Sequence, residues 1–122
     1  MTLLAILTMT AAAVAATDIE SHREGARRVL KQHCGACHDP SRKTANAGAM
    51  KIYDLAERDF AGKMTPGQLE ELARRLEARR KMTPAELLAT EPHGAPAPLR
   101  PTEQEILELK VYVTLELISR VR

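Results

Sequence analysis

The two cysteines of the chain stand three positions apart and are followed at once by a histidine, in the run Cys34-Gly35-Ala36-Cys37-His38. Two cysteines and four histidines scattered at random would meet in this pattern on the order of once in two thousand arrangements, so the spacing asks for a chemical reason. Two thiols at this separation lie on one side of a turn, where each can form a thioether with a vinyl group. The adjacent imidazole can swing beneath the same porphyrin and ligate its iron. This is the pattern of covalent c-type haem attachment, with Cys34 and Cys37 as thioether donors, His38 as proximal iron ligand and one haem c per chain.

The same residues admit two other chemistries. A redox C-x-x-C disulfide normally sits in a βαβ setting, whereas the flanking sequence reads as helix with almost no strand signal. A structural zinc site needs four ligands, and beyond Cys34, Cys37 and His38 the chain offers only His33, His22 and the distant His93. No acid–base or nucleophilic constellation accompanies the motif, so substrate turnover has no residues to carry it.

The elements that must position this motif are predicted to be helices. Thr17-Asp18-Ile19-Glu20 has the form of a capping box opening a helix to about Gln32, with Ile19, Ala26, Val29 and Leu30 as its apolar line. Residues 39–50 have a loop composition that suits wrapping a cofactor edge, and Lys51–Phe60 is expected to be a short helix. Lys63-Met64-Thr65-Pro66 and Lys81-Met82-Thr83-Pro84 repeat one helix-start signal eighteen residues apart. The first predicts a helix from Pro66 to about Arg80 with Leu69, Leu72, Ala73 and Leu76 on one face. On its other face Glu70–Arg74, Glu71–Arg75 and Glu77–Lys81 are expected as i,i+4 pairs. The second predicts a shorter helix. Residues 90–101 carry four prolines and read as an extended connection. Thr102-Glu103-Gln104-Glu105 caps a final helix with Ile106, Leu109, Val113 and Leu117 at helical spacing, a strand at Val111–Leu115 being the alternative.

Composition adds bounds. With 122 residues the chain suits one small domain, and a formal charge of +2 is too mild for a nucleic-acid binder. Aromatic residues make up only 2%, so a bound cofactor is expected to supply bulk that aromatic side chains otherwise provide. Residues 1–16 contain no charged side chain and end in small residues, which reads as a secretory signal preceding a domain at 17–122. A periplasmic or secreted product, with no membrane span after cleavage, is the expectation. The apolar segment lacks the basic residues that usually precede it, and a buried N-terminal helix is the competing reading.

Taken together, these residues resemble the class I cytochrome c family. The resemblance implies an all-α, small helical domain wrapped around the haem, passing single electrons between redox protein partners. It also implies that Gly25 lets the C-terminal helix cross the first one closely, with Tyr112 as the aromatic partner. In that family a methionine ahead of the last helix is the distal iron ligand, and Met82, 44 residues after His38, is similar in setting. Met64 has the same local sequence and ranks second, with His93 next. An open distal site would instead imply a haem sensor or a peroxidase-like protein. The family's Gly-Pro-x-Leu element, whose carbonyl orients the proximal histidine, has no counterpart at Thr44–Ala49. His33 is expected to be an exposed helix-end residue. Arg42, Lys43 and Tyr53 are expected near the haem propionates, and Arg74–Arg80 or Arg27–Lys31 as docking patches.

Overall fold

A computed structural model describes the backbone of residues 2–121 and the side chains of residues 19–121. The chain is all-α, with α1 (Thr2–His38), α2 (Ala47–Ile52), α3 (Pro66–Arg80), α4 (Pro84–Ala89) and α5 (Glu103–Arg120). The secretory-signal reading of residues 1–16 concerns side chains outside the described residues. Among those described, no helix is long and apolar enough to cross a membrane.

The first helix is longer than its sequence signals suggest. Its backbone is helical from Thr2, so Thr17 does not open it; the Ala-rich run before that residue has the strongest intrinsic helix preference. At the other end the helix runs past Gln32 through the motif to His38. Cys34, Cys37 and His38 thereby become i, i+3 and i+4 positions, which share one helical face.

The expected helix over 51–60 is displaced. Asn46 opens α2, its side-chain oxygen accepting the Ala49 N–H at 3.0 Å, and Tyr53 ends it in an extended conformation. Beyond it Asp54 accepts the Ala56 N–H at 2.9 Å, a local bond that competes with helix and leaves residues 53–63 largely in turns.

The other three starts fall where the capping signals place them. Thr65, Thr83 and Thr102 each cap through the side chain, and Gln68, Glu86 and Glu105 return the bond to the cap backbone. Residues 111–115 are helical throughout.

The core forms where α1 crosses α5 and α3 packs on α5, joined by the 53–64 segment. Leu30, Leu55, Leu69, Leu76, Leu109, Phe60 and Tyr112 are its largest fully buried side chains. Gly25 lies at the crossing, but its close neighbour is Glu108. A Cβ there would fall 1.8 Å from the Glu108 carboxylate, while Tyr112 packs against Phe60 with ring centroids 5.7 Å apart. On the exposed face of α3, Glu71 pairs with both Arg74 and Arg75, and Glu77 reaches Lys110 of α5 rather than Lys81.

Candidate functional site

The motif face of α1 opens on a cavity of about 340 Å3, within the roughly 300–1,000 Å3 range of cofactor clefts. Cys34, Cys37 and His38 line one side. Ile52, Tyr53, Met64 and Leu72 supply an apolar wall, and Gln68, Glu71, Arg75, Arg79, Thr90 and Glu91 supply a polar one. A second hollow of about 240 Å3 shares the walls His33, Ala36 and Glu91 and runs under the proline-rich 96–99 segment.

His38 is oriented by the backbone. Its Nδ1 lies 3.0 Å from the Tyr53 carbonyl, and since a carbonyl can only accept, Nδ1 carries the proton. The opposite nitrogen, Nε2, is then the bare one, which is the tautomer a metal requires. Burial pushes the His38 pKa down from its ordinary value, and the carbonyl bond works in the other direction without reversing the shift. The Tyr53 ring stacks on the imidazole at 3.7 Å and 6°. A ring lying parallel to the imidazole covers its face and leaves the in-plane lone pair of Nε2 clear of that ring.

The cysteines are both free and half-buried. Burial raises the Cys34 thiol above its ordinary value, with the neighbouring Arg79 and Tyr53 opposing. Burial likewise raises the Tyr53 phenol, so both groups are neutral near pH 7.

Both ends of α2 are tied down on the same side. Leu55 N–H donates to the His38 carbonyl at 3.0 Å, and Asn46 N–H donates to the Cys37 carbonyl at 2.9 Å. Arg27 of α1 donates to the carbonyls of Leu55 and Arg58. Arg27 is therefore buried and forms no part of a surface patch.

The methionines separate clearly. Met64 is 3% exposed and lines the cavity. Met82 does not line it; it is half-exposed at the α3–α4 junction, where its carbonyl accepts from Arg100 at 2.9 Å. α3 runs along the cavity and lines it from Gln68 to Arg79; Met64 stands just before its first turn and Met82 just past its last, and of these two only Met64 belongs to the lining. His93 is exposed, and neither it nor His22 or Met50 lines the cavity.

His33 departs from expectation in being buried. Its Nε2 lies 2.9 Å from the Glu105 carboxylate, and its Nδ1 is buried without a partner. Arg42 reaches back to the Lys31 carbonyl at 2.9 Å and lines the smaller hollow, while Lys43 is exposed. Arg79 donates to Thr90 at 3.1 Å and to Glu91 at 2.5 Å, but its Nε is buried with no acceptor. Among the described residues no three His, Cys, Asp or Glu side chains converge as a metal cage.

These features test whether the residues fit a haem. An apolar wall beside two thiols, an imidazole in the ligating tautomer, a thioether in the same cavity and an unpartnered guanidinium N–H suited to a carboxylate match the chemistry of the group. Comparison of the chain with protein-family models, curated proteins and solved structures finds no match, so the case rests on this geometry.

Proposed function

We propose that the chain is a monohaem c-type electron carrier, similar to class I cytochromes c, working outside the cytoplasm between a redox donor and a redox acceptor protein. The observation that carries this reading is a single cavity lined by Cys34, Cys37, His38 and Met64, with His38 held in the ligating tautomer by the Tyr53 carbonyl. When bound, haem supplies a one-electron ferric–ferrous couple.

The chain's own residues do the rest. Cys34 and Cys37 would hold the group covalently, and His38 would ligate its iron through Nε2. Met64 replaces Met82 as the candidate thioether ligand, because among the described residues it is the methionine that lines the cavity. Leu72 and Tyr53, both buried, would keep water from the part of the cavity they line, which would limit reorganisation when charge changes. The Arg79 Nε–H and Arg75 stand ready for the propionate carboxylates, in competition with Glu91 and Glu71. Residues 1–16 have the composition of an export signal, which would deliver the chain to a compartment where c-type haem is attached.

The test is a set of optical spectra on haem-loaded protein. Loss of the far-red methionine-to-ferric-iron band in Met64→Leu and its retention in Met82→Leu is expected. The reverse pattern would restore Met82. Absence of the band from the parent, with exogenous ligand binding freely, would favour a sensor or peroxidase-like protein over a carrier.

A further inference from the structure

One side chain ties the last helix to the turn that presents Met64. Arg120, in the final turn of α5, donates through Nη1 to the Met64 carbonyl at 2.5 Å and through Nη2 to the Ala61 carbonyl at 2.7 Å. Its Nε faces Glu116 at 3.4 Å. Glu116 is itself 7% exposed, accepts from the Tyr112 hydroxyl at 3.4 Å and lies 3.7 Å from Arg23 of α1. The guanidinium is thus fixed from behind by a carboxylate that is also in contact with α1.

The turn is seated by burial of Ala61 and Met64 in the core, and its own backbone adds two bonds. Gly62 N–H bonds to the Asp59 carbonyl and Met64 N–H to the Ala61 carbonyl, both at or beyond 3.0 Å, and Thr65 then starts α3. Two charge-assisted bonds from one planar fork hold both ends of the Ala61–Met64 turn at once, which a single donor cannot do.

We propose that Arg120 is a positioning residue for the candidate thioether ligand, holding the Met64 backbone so that the thioether stays in the cavity it shares with His38. The proposal rests on the haem reading above and deepens it. Arg120 touches neither the iron nor the porphyrin in this account; it acts through Met64. Its effect is on the equilibrium between Met64-bound and Met64-released states, which an external ligand can report.

The experiment compares full-length, haem-loaded parent, Arg120→Ala, Arg120→Gln, Arg120→Lys and Met64→Leu proteins, each checked for helical circular dichroism. The readouts are the far-red band of the ferric protein and the apparent affinity for imidazole, which must displace the thioether to bind. Arg120→Ala is expected to weaken the band and raise imidazole affinity roughly tenfold, and Arg120→Lys, keeping charge with a single ammonium, to recover part of it. Arg120→Gln serves the same comparison should the alanine variant lose its helical signal.

A band and an imidazole affinity equal to the parent in Arg120→Ala and Arg120→Gln would overturn the positioning role. If the parent has the band and Met64→Leu keeps it, the Met64 assignment fails and the proposal fails with it. If the parent carries no covalent haem, the functional reading itself is refuted, a result distinct from both.

Discussion

Replacing Arg27 by methionine tests how the 53–64 segment is held over the motif. Arg27 keeps only 9% of its surface exposed, donates to the Leu55 carbonyl and, at 2.5 Å, to the Arg58 carbonyl, and its guanidinium carbon lies 5.2 Å from the centre of the Phe60 ring. Methionine keeps the apolar stem and removes the fork. Hydrogen bonds to charged groups contribute about 1.5–3 kcal/mol each, and a largely desolvated cation over a ring about 1–2 kcal/mol. Against this, burying a guanidinium carries a desolvation cost that methionine avoids, and the Arg58 carbonyl is near solvent and can be rehydrated. The net loss is therefore set mainly by the buried Leu55 carbonyl left without a partner, and comes to about 3 kcal/mol.

For a chain of this size that lowers the melting temperature by roughly 10–15 °C. Urea titrations followed by helical circular dichroism on haem-loaded protein measure it, with an unchanged m-value showing that the same surface unfolds. Arg27→Lys, which can reach one carbonyl but not fork to both, is expected to lose about half as much. A loss below about 1 kcal/mol in Arg27→Met would refute the claim that this fork pins the segment.

Three further outcomes are expected. Leu109→Ala, at a fully buried position where α5 meets α1 and α3, costs about 2–5 kcal/mol in the same titration. Cys34→Ser leaves haem attached through Cys37 alone, seen as a red-shifted reduced α-band, while the double substitution abolishes haem staining on a denaturing gel. For Glu105, burial favours the neutral acid, but bonds from the Thr102 backbone and from His33 outweigh it and hold the carboxyl below its ordinary 4.5. The unfolded chain then binds more protons across that interval, so Glu105 contributes stability above about pH 4.5 that is lost as pH falls towards its folded value. Glu105→Gln, which keeps the capping-box form, should flatten the acid side of the stability profile.

The parts of the fold that were legible in the sequence are those written in local chemistry. Thr65-Pro66, Thr83-Pro84 and Thr102 announce their helices because a cap satisfies backbone N–H groups within three residues of itself. The motif was legible because its spacing alone brings Cys34, Cys37 and His38 to one side. The helix boundaries at Thr17 and Lys51 were not, since a capping residue embedded in helix-favouring alanines does not stop the helix, and Asp54 breaks a pattern that looks periodic. Choosing between Met64 and Met82 was beyond local sequence altogether, because both carry the same Lys-Met-Thr-Pro surroundings and differ only in which end of α3 they occupy. The group that orients His38 is a backbone carbonyl, and every residue has one, so no residue type could mark it. His33 looked like a solvent-facing helix end until Glu105, seventy-two positions away, was brought against it.

The central claim, that the motif face of α1 holds a covalent haem, is tested most directly by producing the chain with its N-terminal segment in a host that matures c-type haem in the periplasm. Haem staining on a denaturing gel, with the pyridine haemochrome spectrum giving stoichiometry, reads the outcome. One haem per chain that resists acid extraction is the predicted result. A colourless polypeptide, or haem that acid removes, would contradict it.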